Sequence, residues 1–173
     1  WKYPDLNWRS TDMKKAVKVI IRGYHGRGFG AALIKALPYR RICHVSLVFY
    51  FNDGSAWEYE SIQGKGVVNH APTTGKKFEA YAPDLSPAQV EQAHREAKGI
   101  TGPYDWRAIF GFVLPGMKPS EKAWICSEFV AYIMAKIGRR LSKREPFMET
   151  PTFVCDSNEA GPRNTMYEEL NAA

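Results

Sequence analysis

The sequence predicts an α+β domain whose strands form an antiparallel sheet, and three observations carry that prediction. Strand-like segments come first in the chain and helix-like segments last, so the strands are not alternated with crossover helices as a parallel sheet would require. One pair of strand-like runs, 44–51 and 56–61, is separated by a short Gly-containing turn, the signature of a hairpin. The 173 residues, 45% hydrophobic and 13% aromatic, suit one domain around a single core and show no repeat, low-complexity tract or linker. That domain is read as residues 1–173, with its core at about 16–140 and an irregular tail at 146–173.

Each element follows from local chemistry. Residues 16–22, Ala-Val-Lys-Val-Ile-Ile-Arg, read as a strand. Gly23, Gly26, Gly28 and Gly30 punctuate a turn leading into a short helix at about 29–37, stopped by Pro38. Their spacing does not make the GxGxxG pattern of a dinucleotide site. After the hairpin, 66–69 and 77–82 read as two further short strands. Ser86 and Pro87 supply a cap and a first-turn proline for a helix reaching about Lys98. A turn at 102–105 precedes a helical stretch at 105–113, which Pro115, Gly116 and Pro119 break. The last long helix is expected over about 121–137. Ile125, Phe129, Ile133 and Ile137 recur along it as one buried stripe, and Gly138 ends it. One short helix is the most the tail is expected to hold.

The hairpin carries a register prediction. Val45, Leu47, Phe49 and Phe51 share one face of the first strand, while His44, Ser46, Val48 and Tyr50 share the other. Burying Trp57 and Tyr59 with the first set requires pairs such as Phe49 with Trp57. A two-residue Asp53-Gly54 turn would instead turn one apolar set outward. The expected connection is therefore a three-residue loop, Asn52 to Gly54, with Gly54 in the left-handed region. This register puts Glu60 on the face of His44, opposite Ser46, with Glu58 one step further away.

Charge and cysteine usage narrow the chemistry. The net charge of +6 is concentrated between Arg9 and Arg41 and again at Arg139, Arg140, Lys143 and Arg144. Either cluster suits a solvated face or contact with nucleic acid, anionic lipid or an acidic polymer. Arg40, Arg41, Arg139 and Arg140 are the residues expected to meet such a surface. The longest apolar runs, Val45–Phe51 and Phe110–Leu114, are too short to span a bilayer. The sequence opens on Trp1, which neither claims nor excludes a leader segment. Cys43, Cys126 and Cys155 are an odd number at no metal-ligand spacing, so no closed disulfide set, metal or cofactor is expected.

A thiol attacks as thiolate, which requires a base and is helped by a helix N-terminus. Cys126 lies near the start of the last long helix, and whether it sits in the first or second turn depends on where that helix begins. Cys43 adjoins His44 but points to the opposite face, as a core thiol would. Cys155 has no base near it in sequence. His25 in the glycine-rich turn and His70 at a strand end read as surface residues or substrate contacts. His94, among Glu91, Gln92, Arg95 and Glu96, reads as solvated.

Four pieces, His-Val-x-Leu-Val (44–48), Tyr-Glu-Ser-Ile-x-Gly-x-Gly-Val (59–67), Gly-x-Tyr-Asp (102–105) and Ile-Cys-Ser-Glu-Phe-Val (125–130), occur in this order. Together they resemble the circularly permuted branch of the NlpC/P60 superfamily, papain-like cysteine hydrolases in which the histidine precedes the cysteine. The resemblance covers about residues 16–140. It implies a papain-like sheet or half-barrel packed on helices, with the nucleophile at the N-terminus of a late helix. It also implies Cys126 as nucleophile, His44 as general base and Glu60 as the group that orients the ring, although Glu58 competes for that place. Tyr104 and Ser46 are the expected substrate contacts. The implied activity is an amidase or peptidase working through a thioester, with cell-wall peptides as substrate. Lipid amides or esters, or acyl transfer between them, are the alternative within the enzyme class. From another class, a non-catalytic basic module would bind nucleic acid or an anionic surface.

Overall fold

A computed structural model describes residues 14–25, 41–111, 117, 119–141 and 150–163. The helix expected at 29–37 and Arg40 lie outside the described residues. The strands are β1 (Ala16–Tyr24), β2 (His44–Phe51), β3 (Ala56–Ile62), β4 (Gly66–His70) and β5 (Phe78–Tyr81). The helices are α1 (Pro87–Gly99), α2 (Trp106–Gly111), α3 (Cys126–Lys136) and α4 (Pro151–Asp156), with a 3-10 turn at Asn158–Ala160. The protein is thus α+β, with one five-stranded antiparallel sheet in the order β4-β3-β2-β1-β5 packed against helices. Among the described residues no helix is long and apolar enough to cross a membrane.

Period-two alternation sorts the sheet into two faces. Val19, Ile21, Val45, Leu47, Phe49 and Tyr59 point into the main core with Val90, Ala93 and Ala97 of α1 and Phe129, Val130, Ile133 and Met134 of α3. Each large side chain buried here contributes about 1.5–3 kcal/mol relative to exposure. The opposite face carries Arg22, Ser46, Glu58 and Glu60, all buried.

The β2–β3 register is the expected one, with Leu47 opposite Tyr59 and Phe49 opposite Trp57. Phe51 donates its N–H to Ser55 at 2.9 Å across the Asn52–Gly54 loop. Gly54 has φ of 79°, a conformation that costs a side chain about 1–2 kcal/mol. Asp53 completes the loop by accepting from the Ser55 N–H at 3.0 Å.

Helix α1 begins as its sequence dictates. Ser86 accepts from the Gln89 N–H, the Gln89 side chain accepts from the Ser86 N–H, and Pro87 fills the first turn. Helix α3 begins five residues later than expected, at Cys126. Residues 103–105 and 124 pair as a parallel bridge: Trp124 donates to the Pro103 carbonyl at 3.0 Å, and Asp105 donates to the Trp124 carbonyl at 3.1 Å. Ser61 on β3 donates to the same Trp124 carbonyl at 2.7 Å. These contacts consume the groups that a helix through residue 124 would need.

The described part of the tail, 150–163, holds the one short helix expected there, α4, followed by the 3-10 turn. Thr152 of α4 binds the Ile42 backbone both ways, its hydroxyl accepting from the N–H and donating to the carbonyl at 3.1 Å each. This docks Cys155 against Gly23, where a Cβ would lie 2.7 Å from Ile42 Cδ1 and 2.8 Å from Cys155 Sγ. Gly23 is therefore required for close packing of α4 on β1.

Candidate active site

Three elements converge on the candidate site. Cys126 is the first residue of α3, after an extended Ile125, so its thiol sits where unpaired helical N–H groups and the macrodipole favour negative charge. His44 is the first residue of β2, and Glu60 lies on β3, one strand away on the same face.

His44 Nε2 is hydrogen-bonded to Glu60 Oε2. The Cys126 side chain acts on the same ring through hydrogen bonding and charge. Burial disfavours the charged ring, but Cys126 and then Glu60 outweigh it, and the His44 imidazolium is held well above the ordinary histidine value. Glu60 is buried too, which opposes its ionisation. Hydrogen bonds and charge from His44 and His70 nevertheless keep its carboxyl below the usual range.

Glu58 and Glu60 have separate surroundings. Glu58 is fully buried and accepts from the Tyr24 hydroxyl at 2.5 Å, the Ser46 hydroxyl at 2.5 Å and the Thr73 N–H at 2.7 Å. The Arg22 guanidinium lies 3.7 Å away, equally buried and stacked over the Phe78 ring. Glu58 is thus the acceptor at the centre of a buried network. Tyr24 connects that network to the site, since its ring lies 5.8 Å from the His44 ring. Ser46, expected as a substrate contact, is fully buried and belongs to this network.

Tyr104 packs beside Cys43, Ala108, Ile109 and Ile125. Burial and then the charge of Cys126 raise its phenol, which therefore stays a donor close to Cys126. Cys43 is buried and donates to the Tyr24 carbonyl at 3.3 Å. Cys155 is buried in the main core, and burial pushes its thiol well above the ordinary value.

The histidines and arginines sort differently from their sequence surroundings. His70 Nε2 lies 2.7 Å from Glu60 Oε1, so it joins the site through the carboxylate. Its signal was present in the short Ile62–Gly66 connection, which sets β4 opposite β3 with His70 on the glutamates' face. His94 is half-buried rather than solvated. It packs against Phe49, Phe51 and Tyr59, and its Nε2 bonds the Tyr59 hydroxyl at 3.1 Å. His25 and Arg41 both pair with Glu79, and Arg41 also reaches Asp156 and the Tyr81 hydroxyl. Arg139 bonds Glu159 at 3.1 Å and the Asp84 carbonyl at 2.6 Å. Of the arginines offered to an anionic surface, Arg41 and Arg139 are therefore paired within the chain, whereas Arg140 is exposed.

Glu128, at the third position of α3, was not singled out from sequence. It accepts from the Ile125 N–H, and burial together with Asp105 raises its carboxyl to about 7. Among the described residues no group of three or more His, Cys, Asp or Glu is arranged to hold a metal ion. No protein-family model matches this chain, and no curated protein sequence matches it.

Proposed function

We propose that the protein is a cysteine hydrolase of the permuted papain-like kind, acting on amide bonds through a thioester on Cys126. The observation that carries this reading is the His44–Glu60 hydrogen bond, with Cys126 acting on the same ring from the first residue of a helix. Proton transfer from Cys126 to His44 gives a thiolate beside an imidazolium. The thiolate sulfur bonds to the carbonyl carbon, and the developing oxyanion is met by the Cys126 N–H at the helix start. Collapse breaks the C–N bond, and the nitrogen leaves with the His44 proton. His44, now neutral, takes a proton from water as its oxygen attacks the thioester. The acid is released and the thiol restored.

Glu60 keeps the ring oriented and steadies its charged form throughout, the part a carboxylate plays beside a catalytic histidine. Peptides of the cell wall are the substrate class proposed first. The triad accepts other acyl donors, so esters belong in the test. Incubating the protein with cell-wall peptide fragments and with simple acyl esters, followed by intact-mass measurement, is expected to show an acyl adduct on Cys126 and turnover that Cys126→Ser abolishes. Turnover that survives in Cys126→Ser contradicts the assignment.

A further inference from the structure

We propose that His70 is a positioning residue that shares the Glu60 carboxylate with His44, so that one carboxylate serves two imidazole rings. The inference rests on the Cys126–His44–Glu60 reading and extends it by one member. His70 Nδ1 lies 2.7 Å from the Ala71 carbonyl, which can only accept, so Nδ1 carries a proton. Nε2 of the same ring lies 2.7 Å from Glu60 Oε1. A neutral ring would aim a lone pair at the carboxylate from that position, whereas a doubly protonated ring donates to both partners. The two oxygens of Glu60 are thereby divided, Oε2 to His44 and Oε1 to His70.

The groups around His70 favour this charged state. Glu60 and Glu58 face it from β3, and Glu58 sits directly opposite it in register. Arg22 and Tyr24 of β1 act only from behind Glu58, which they bind, and His44 of β2 lies beyond Glu60. Burial opposes the charge, but the Ala71 carbonyl and the two glutamates outweigh it, and the ring is raised above the ordinary histidine value. About a third of the side chain is exposed, so it exchanges protons with solvent directly.

The consequence falls on His44. A carboxylate bound to one cation holds that cation's proton tightly; one shared between two holds each less tightly. His70 thus keeps the His44 imidazolium acidic enough to protonate a leaving nitrogen, while fixing the carboxylate that orients it.

Histidine ring nitrogens observed by NMR across a pH titration test this in the whole chain. In the wild type, His70 is expected to carry protons on both nitrogens at pH ~6.5. In His70→Gln, which keeps a donor for Oε1 but removes the charge, the pH at which His44 loses its proton is expected to rise by about one unit. A singly protonated His70 in the wild type overturns the inference without any variant. So does an unmoved His44 midpoint in His70→Gln. Alkylation of Cys126 in His44→Ala scores the underlying reading separately. A slowed rate there beside an unmoved midpoint sinks His70 alone, and an unchanged rate sinks the dyad and this extension with it.

Discussion

Replacing His44 with alanine is expected to slow turnover of a simple acyl ester by about 10²–10⁴-fold, the usual range for removing a general base. Folding should survive, because His44 is the first residue of β2 and a quarter of its side chain is exposed. Loss of the ring removes the proton acceptor for Cys126 and the proton donor for the leaving group together. Glu60→Gln should act on the same ring through its charge. With the carboxylate present, the imidazolium persists as pH rises past the ordinary histidine value. Without it, His44 gives up its proton sooner, and the alkaline limb of kcat moves to lower pH. In the wild type Glu60 is held below the usual carboxylate range, so its support is lost only as pH falls through that lowered value. A His44→Ala protein with wild-type turnover would remove the base assignment.

Replacing Glu58 with alanine is expected to cost about 3–5 kcal/mol, the range for breaking a buried ion pair from one side. The substitution leaves the fully buried Arg22 without its counter-charge and strips the acceptor from Tyr24, Ser46 and the Thr73 N–H. For a chain of this length that corresponds to a Tm lower by about 6–20 °C. Removing Arg22 as well, in an Arg22→Met, Glu58→Ala pair, should restore part of the loss, since replacing both charges of a buried pair is often near neutral. Thermal melts of the three variants decide it. A Glu58→Ala protein melting within about 2 °C of wild type would show the network to be slack.

The legible parts of this molecule are those written in local periodicity. Alternation along 44–51 and 56–61 dictates which residues pair, and that register alone places Glu60 on the face of His44. Ser86, Pro87 and Gln89 announce α1 for the same reason, because a cap is a local device. The choice between Glu58 and Glu60 was not legible. Both share a face, and what separates them are donors from Tyr24 and Thr73, distant in sequence. The start of α3 was hidden similarly. Residues 121–125 continue the helical pattern, and only Ser61 and the 103–105 segment hold Trp124 extended. In the tail, α4 depends on Thr152 meeting Ile42, a contact 110 residues apart. His94 was misjudged because its neighbours in sequence are polar, while its neighbours in space are the aromatic rings of β2 and β3.

Under the proposed function, Cys126 alone among the three cysteines is an activated nucleophile. Brief treatment with iodoacetamide at pH ~6, with peptide mapping by mass spectrometry, tests it most directly, since an ordinary thiol is almost wholly protonated there. Cys126, beside His44 at the start of α3, is expected to be labelled first. Cys43, bonded to the Tyr24 carbonyl, and Cys155, whose thiol is pushed well above its ordinary value, should stay unmodified. Equal labelling of all three, or preference for Cys43 or Cys155, would contradict it.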